Sequence, residues 1–254
     1  MVTLLNIGNT HTQIAHCSDG AVTLARRVAT AEMVAGALPA ELLELQGPCL
    51  AACVVPAAAT ALRAAAPTRD VVFLAAATVT EVDFSLVDAS TLGADRVANA
   101  VAAVAGYAGA VLVLDCGTCV TIEAVDGQRR FCGGAILPGR ALLRRALHEH
   151  TGQLPLVALG HDCPGALGTC TRDAFLAGVD LGILGAVARL LADSRQRLGA
   201  PACPVVAVGG DAAFFCRHLP VLQPGDELFT LRGLAVVAGR LFLRAAPPAA
   251  RPPG

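Results

Sequence analysis

Two segments of this 254-residue chain repeat one pattern of residues. Residues 4–15 read LLNIGNTHTQIA, and residues 113–124 read VLDCGTCVTIEA. Each segment has an apolar run, a polar residue, a glycine, small hydroxyl or amide residues and a second alternating run, and each then leads to an Asp-Gly pair. This pattern is typical of a strand, a tight turn and a second strand. Its recurrence about 109 residues further along predicts a duplicated domain.

Helix and strand signals alternate through both halves of the chain. Short apolar runs predict buried strands at residues 49–55, 71–74 and 205–208. Stretches rich in alanine and leucine predict helices at residues 31–45, 57–66, 96–107, 140–150, 171–198 and 234–244. We therefore predict an α/β protein of two duplicated domains, residues 1–109 and 110–254, with a cleft between them. The proline-rich tail at 245–254 is expected to be frayed.

Composition limits the partners and the compartment. The chain is 55% hydrophobic and 15% charged, so it can bury a core, and its formal net charge of -1 gives no basic surface for nucleic acid. The longest apolar stretch, residues 97–114, is mostly alanine and is interrupted by Asn99, so it predicts a buried helix and strand and no membrane span. The N-terminus lacks the basic start of a signal peptide. Ten cysteines without an export signal are expected to be reduced thiols, and a cytoplasmic location follows.

The glycine turns of the repeat suggest phosphate binding. A tight glycine turn lets backbone N–H groups approach phosphate oxygens closely. Thr10 and Thr118 could add hydroxyl donors, one in each copy. Two such turns could hold a triphosphate between the halves, and the glycine pair at 209–210, after a strand, suits the close approach of a base or ribose. A single turn of this kind would more often be an ordinary turn, so the recurrence carries the prediction.

The motifs along the chain resemble, in order, those of type III pantothenate kinases, within the superfamily of acetate and sugar kinases, Hsp70 and actin. Eight short matches span nearly the whole sequence. They are NIGNT at 6–10 for the family's D-x-G-N-T, VVP at 54–56, GADR at 93–96, DCGT at 115–118 for D-x-G-T, GGAILPG at 133–139 for G-G-x-I-x-P-G, the G-x-x-T-x-x-A segment that contains Thr171, GG at 209–210, and LRGL at 231–234 for L-x-G-L. One such match would be weak, but eight in order are specific.

The resemblance implies a fold and a reaction. The fold is two duplicated ribonuclease H-like, actin-like domains with an interdomain nucleotide cleft. The reaction is transfer of the ATP γ-phosphoryl group to the primary hydroxyl of pantothenate, which opens coenzyme A synthesis. Such a transfer needs positioning, charge stabilisation and a carboxylate that accepts the hydroxyl proton. Family members are homodimers with the substrate pocket at the subunit interface, so pantothenate, ATP and a second copy of the chain are the implied partners.

Individual site residues follow from the same resemblance. Asp95 looks like the catalytic base, Arg96 could hold the substrate carboxylate or a phosphate, and Thr171 looks like a pantothenate contact. Gly93 and Ala94 complete the substrate motif. Asp115 looks like the ligand of a monovalent cation, K⁺ or NH₄⁺, and Thr118 an ATP contact. The first ATP phosphate loop, with Mg²⁺ nearby, comprises Asn6, Ile7, Gly8, Asn9, Thr10, His11, Thr12 and Gln13.

Two positions depart from the family pattern. The family's opening aspartate is Asn6 here, which keeps the shape but loses the charge that would help to hold Mg²⁺. A tyrosine that many members place about seven residues before Gly93 falls on Leu86, and the single tyrosine, Tyr107, lies beyond the motif. These departures predict weakened handling of metal-bound ATP and a changed substrate pocket.

Three alternatives stay open from the sequence. The departures suit a catalytically impaired homologue that acts as a regulatory or accessory binding protein, although the retention of Asp95 and Asp115 argues against it. Asp95 could also be a plain helix N-cap. Cys116 and Cys119 form a single C-x-x-C that could bind zinc or act in redox chemistry. His148 and His150 lie two residues apart, which does not place them on one helix face.

Overall fold

A computed structural model describes residues 1–39, 42, 47–65 and 70–243. Parts of the predicted helices at 31–45, 57–66 and 234–244, and the whole predicted tail at 245–254, lie outside the described residues. The chain divides into two compact units. Unit 1 comprises Met1–Glu81, Ala89–Ala105 and the segment from Thr230 onwards, and unit 2 comprises Val82–Asp88 and Gly106–Phe229. The division into residues 1–109 and 110–254 stays a prediction.

Each unit contains a mixed sheet of five strands. Unit 1 holds the order β3-β2-β1-β4-β5 and unit 2 the order β10-β9-β6-β7-β8. In both sheets the first three strands of the unit pair antiparallel, and the last two add in parallel beside the first strand. The strands are β1 Val2–Ile7, β2 His11–Ser18, β3 Ala21–Ala29, β4 Cys49–Cys53, β5 Val71–Phe73, β6 Val111–Cys116, β7 Cys119–Val125, β8 Phe131–Pro138, β9 Val205–Val208 and β10 Leu222–Pro224. The identical topology confirms the predicted α/β duplication.

Eight α-helices are present among the described residues. They are α1 Thr30–Val34, α2 Pro56–Ala65, α3 Ala94–Gly106, α4 Arg140–Glu149, α5 Thr171–Leu176, α6 Gly182–Arg197, α7 Ala212–His218 and α8 Phe229–Ala238. A π-helical turn, Ala177–Leu181, joins α5 to α6. The combined helix Thr171–Arg197 is long and apolar enough to cross a membrane. Core helices can have the same length and composition, and 44% of the most apolar stretch of this helix is buried inside the protein.

The cores of the two units are built alike. In unit 1, apolar side chains of β1, β2 and β4 pack against Met33 of α1 and Leu62 of α2. In unit 2, apolar side chains of β6, β7 and β9 pack against Val187 of α6 and against Phe214 and Phe215 of α7. The apolar run at 97–114 forms α3 and β6, as its composition predicts. The central strands β1, β4, β6 and β9 are mainly apolar because neighbouring strands and helices leave them little exposed surface, whereas β3 carries exposed polar residues.

The C-terminal helix α8 belongs to unit 1. A Cβ atom on Gly233 would lie 1.9 Å from the backbone oxygen of Ala98, so the two helix backbones of α8 and α3 touch. Beside this contact, the Thr230 hydroxyl lies 2.7 Å from the buried amide oxygen of Asn99 and donates to it. Helix α8 begins at Phe229, five residues before the predicted start at 234. Gly233 lies inside α8. Its lack of a side chain allows α8 to approach the backbone of α3 at Ala98.

Candidate functional site

The turn between β1 and β2 is stabilised by Thr30, a residue that belongs to none of the motifs identified in the sequence. Thr30, the first residue of α1, donates its hydroxyl to the Gly8 carbonyl at 2.7 Å and its backbone N–H to the Thr10 carbonyl at 2.9 Å. The Thr12 hydroxyl lies 3.0 Å from the Thr30 oxygen. Because Thr30 gives its one hydroxyl proton to Gly8, Thr12 must donate to Thr30. Thr12 is fully buried, so its side chain supports the turn, whereas Asn9 and Thr10 are exposed.

Asn6 lies at the end of β1, next to the turn. Its side-chain amide donates from Nδ2 to Oε1 of Gln13 over 3.1 Å, and the two residues are direct partners in the β1–β2 register. Both side chains are partly buried. A glutamine amide can present either its oxygen or its NH₂ group, so this cross-strand pair can form with asparagine or aspartate at position 6.

His11, the exposed first residue of β2, faces a guanidinium group. Arg27 on β3 lies 3.2 Å from His11 Nδ1, and the two side chains line an open groove with Arg26 and Glu32. Burial first, and the charge of Arg27 second, lower the pKa of His11. A neutral His11 accepts the Arg27 N–H at Nδ1, which leaves Nε2–H as a donor at the edge of the turn.

The predicted substrate motif lies at the same edge of the unit 1 sheet as this turn. The Val54 N–H donates to the Ile7 carbonyl at 3.1 Å, directly before Gly8 in the chain. A Cβ atom on Gly93 would lie 3.6 Å from the Val54 side chain and only 2.7 Å from Oδ1 of Asp95. A short chain of contacts thus links the turn, through Ile7 and Val54, to Gly93, and a side chain on Gly93 would displace the Asp95 carboxylate.

Asp95 is the second residue of α3 and lies within its first turn, two positions beyond the N-cap at Gly93. Its Oδ1 accepts the backbone N–H of Arg96 at 2.8 Å. Burial raises the pKa of Asp95, and the hydrogen bond and charge of Arg96 oppose this effect. A partly buried carboxylate with a raised pKa at a sheet edge has the properties of a general base.

The turn between β6 and β7 in unit 2 is the shorter copy. Gly117 N–H donates to Cys119 O at 2.9 Å, two residues on, whereas Gly8 N–H donates three residues on, to His11 O at 3.1 Å. Consequently Asp115 pairs with Thr121 in the register, six residues away, while Asn6 pairs with its partner seven residues away. The turn of unit 2 has lost one residue relative to that of unit 1.

Two glycines from other motifs pack directly on this second turn. A Cβ on Gly139 would lie 2.4 Å from Gly117 O, and one on Gly209 would lie 2.6 Å from Asp115 Oδ1. Gly209 has a φ of 90°, a conformation that favours glycine. The Gly139 N–H also donates to Thr118 O at 2.9 Å. The motifs at 115–118, 133–139 and 209–210 therefore meet at one place in unit 2.

A buried group of charged side chains adjoins this place and was missed by the sequence analysis. Arg140 and Arg144 of α4 converge on Asp180, and Arg140 also contacts Asp211 at 3.1 Å. Burial raises the pKa of Asp211, and the charge of Arg140 opposes it most strongly. The partners lie 36 to 71 residues apart in the chain, so no local sequence pattern predicts that they pair.

Thr171 is the exposed first residue of α5. A Cβ on Gly168 would lie 2.0 Å from the backbone nitrogen of Ala174, so the loop that precedes Thr171 folds tightly onto the first turn of the helix. This contact explains why position 168 of the segment is a glycine. Leu86, at the family's tyrosine position, is 54% exposed.

The C-x-x-C pair has the wrong environment for a thiolate site. Cys116 is fully buried, and burial raises its pKa well above the ordinary value. Across the part of the chain that the structure describes, no group of three or more His, Cys, Asp or Glu side chains could hold a metal ion. These observations disfavour the zinc and redox alternatives.

Solved structures share this architecture. A protein described as a Baf family transcriptional activator from Campylobacter jejuni is similar over 94% of this chain and 98% of its own, with a TM-score of 0.62 and 20% identity. A 2-dehydro-3-deoxygalactonokinase from Sinorhizobium meliloti is similar over 99% of this chain and all of its own, with a TM-score of 0.54 and 16% identity. At such identities the likeness shows the fold alone. The duplicated sheets and glycine turns define a two-domain α/β protein with the fold of these solved structures.

Sequence relatives narrow this class. The family model of type III pantothenate kinase matches residues 3–193. A type III pantothenate kinase of Rhodospirillum rubrum is 40% identical over 149 residues, 59% of this chain and 57% of the relative. One from Gloeobacter violaceus is 41% identical over 149 residues, 58% of this chain and 64% of the relative. The chain thus belongs to the type III pantothenate kinase family, and it matches less than two thirds of the length of these curated relatives.

Proposed function

We propose that this chain transfers the γ-phosphoryl group of ATP to the primary hydroxyl of pantothenate, giving 4′-phosphopantothenate. The observation that supports this most is Asp95: its partly buried carboxylate has a raised pKa and lies on the same sheet edge as the Gly8 turn. Asp95 would accept the hydroxyl proton while the turn donates backbone N–H groups to phosphate oxygens. The reaction would supply the first intermediate of coenzyme A synthesis.

The remaining site residues keep the proposed roles that family membership suggests. Arg96 holds the carboxylate of pantothenate through its planar fork, and Thr171 donates a hydroxyl to the same substrate. Gly93 and Ala94 shape that contact. Thr118 is a proposed ATP contact, and the proposed ATP phosphate loop comprises Asn6, Ile7, Gly8, Asn9, Thr10, His11, Thr12 and Gln13. A homodimer and a cytoplasmic location complete the proposal.

The donor set of this chain fits Mg²⁺ that arrives with ATP better than a resident metal ion. Magnesium is bound in such enzymes by one or two protein oxygens together with phosphates and water. The side-chain oxygen of Asn6 is a candidate for such a protein oxygen. When bound, the ion would neutralise charge on the transferred phosphoryl group. Asp115 is the proposed contact of K⁺ or NH₄⁺.

An assay of ADP release with pantothenate, ATP and Mg²⁺ tests the proposal, with K⁺ and Na⁺ compared. We expect weak activity that K⁺ stimulates. Asn6→Asp should raise kcat/KM for ATP about tenfold, because one charge-assisted interaction contributes about 1.5 kcal/mol more than a neutral one. Gln128→Glu adds the same charge on an exposed loop and should change nothing.

Two outcomes would redirect this interpretation. If neither the natural chain nor Asn6→Asp binds a nucleotide, the kinase proposal is wrong. If both bind ATP and neither releases ADP with pantothenate, a binding or accessory role becomes the better description.

Thr30→Val should weaken ATP binding through the unit 1 turn. Valine keeps the volume of threonine but leaves the Gly8 carbonyl and the buried Thr12 hydroxyl without a partner. We expect a loss of about 1–3 kcal/mol of stability and a rise in the KM for ATP of about three- to tenfold. Thr30→Ser restores the hydroxyl and should restore the KM. An unchanged KM in a folded Thr30→Val protein would remove Thr30 from the supports of the turn.

A further inference from the structure

Arg140 joins three separate segments of unit 2 through one buried guanidinium group. Its Nε donates to Asp180 at 3.1 Å, one Nη to Asp211 at 3.1 Å, and the other Nη to the Gly160 carbonyl at 2.8 Å. The guanidinium carbon lies 3.4 Å from the centre of the Phe214 ring. Arg140 is 1% exposed and its contact with Asp180 is buried, whereas its contacts with Asp211 and Gly160 are partly buried.

Arg144, one turn further along α4, shares the carboxylate of Asp180. One Nη of Arg144 lies 2.9 and 2.7 Å from the two Asp180 oxygens, and the other donates to the carbonyls of Val157 and Ala158. Removing such charges from water largely offsets their attraction, so an apolar set of similar volume would stabilise the unit as well. The residue types are better explained by what they hold in place than by stability.

The first element held in place is the turn between β6 and β7. The Asp211 N–H donates to Cys116 O at 3.0 Å, while its carboxylate accepts from Arg140. Gly139, the residue before Arg140, donates its N–H to Thr118 O. Arg140 is therefore connected to both ends of the turn, by the chain at one end and through Asp211 at the other.

The second element is the stretch at 151–170, which forms neither helix nor strand. Its carbonyls at positions 157, 158 and 160 accept hydrogen bonds from Arg144 and Arg140. The stretch leads to Gly168, which packs on the first turn of α5 beside Thr171. The two arginines thus fix the course of the chain that delivers Thr171.

We propose that Arg140 is a positioning residue that fixes the Asp115–Thr118 turn and the 157–160 stretch relative to each other within unit 2. It touches no substrate and acts through Asp211 and the Gly160 carbonyl. In the terms of the proposed function, on which this inference rests, Arg140 sets the affinity for ATP through the turn and the affinity for pantothenate through the stretch before Thr171.

The test compares three variants of the full-length protein. Arg140→Met removes the charge, Arg140→Lys keeps the charge without the fork, and Asp211→Asn keeps the shape of the partner. Arg189→Met is the control, because Arg189 forms an exposed pair with Asp193 on α6. For each protein we would measure the KM for ATP and for pantothenate, kcat, the Kd of ATP by calorimetry, and the Tm, with kinetics well below every Tm.

We expect Arg140→Met to raise both KM values about tenfold, since it removes charge-assisted hydrogen bonds at each end. Arg140→Lys should recover part of that loss, Asp211→Asn should raise mainly the KM for ATP, and Arg189→Met should match the natural chain. A lower Tm with both KM values and the Kd of ATP unchanged would overturn the proposal. If Arg140→Met does not fold, Arg140→Lys and Asp211→Asn decide by the same criteria. A natural chain that binds ATP but phosphorylates no pantothenate refutes the proposed function alone, because the Kd values still report on Arg140.

Discussion

Replacing Asp95 with asparagine is expected to lower kcat by about 10²- to 10⁴-fold, the usual contribution of a positioned general base. Asparagine keeps the oxygen that accepts the Arg96 N–H, and it fits against Gly93 as aspartate does. It cannot accept the proton of the substrate hydroxyl. The KM for ATP should stay within about twofold, because the role proposed for Asp95 concerns the acceptor hydroxyl and not ATP.

The same change should make the protein more stable at neutral pH. Burial raises the pKa of Asp95 in the folded state, so the folded state disfavours the charged form that the unfolded chain carries freely. This contribution to stability is fully present below the unfolded pKa of about 4 and is lost as the pH rises through the folded pKa. The Tm of Asp95→Asn should therefore exceed that of the natural chain at pH 7, and the two should converge towards pH 4.

Single-turnover kinetics and thermal melts at several pH values check both effects. Asp193→Asn, which removes a carboxylate from an exposed pair on α6, serves as the control and should alter neither kcat nor the pH trend. A kcat for Asp95→Asn within about threefold of the natural value would exclude Asp95 as the base, since a loss that small lies far below the range for general base catalysis.

Replacing Gly209 with alanine is the second change with a large expected effect. An added Cβ would lie 2.6 Å from Asp115 Oδ1 and 2.7 Å from Cys116 O, and the φ of 90° is itself unfavourable for alanine. Backbone and carboxylate cannot both move aside without distorting the turn between β6 and β7. We expect a loss of about 2–4 kcal/mol of stability and a loss of ATP affinity of more than about tenfold.

The variant Gly199→Ala separates the effect of the positive φ from the effect of the clash with Asp115 and Cys116. Gly199 also has a positive φ, 63°, but its added Cβ would meet nothing within 4 Å. It should therefore show the backbone strain alone, about 1 kcal/mol, with normal ATP binding. Equal effects of the two variants on calorimetric ATP affinity would show that the contact between Gly209 and Asp115 is unimportant for the nucleotide.

Local chemistry made much of this fold predictable from the sequence. The two glycine turns were predicted because a strand, a glycine and a second alternating strand are encoded within about 12 residues. Helix α3 was predicted to begin at residue 96 after a turn, and it begins two residues earlier, at Ala94. The alternative that Asp95 is an N-cap was wrong by two residues, because Gly93 occupies the N-cap position and Asp95 lies inside the first turn.

Contacts between distant residues could not be predicted in this way. Thr30 reaches the Gly8 turn from 22 residues away, and Arg140 finds Asp211 across 71 residues. Threonine at the start of a helix and arginine on a helix are common residues in common places, so nothing local distinguishes them. Their roles appear only when the sheet and helices have brought the partners together.

The crossing of α8 over α3 has a consequence for how this protein is made. Asn99 cannot form its hydrogen bond until Thr230, 131 positions later, has been synthesised. The Ala98 backbone likewise lacks its contact until Gly233 has been made. During translation, the face of α3 at Ala98 and Asn99 therefore lacks these contacts until residues 229–238 have been made. This part of unit 1 can complete its packing only after α8 has left the ribosome.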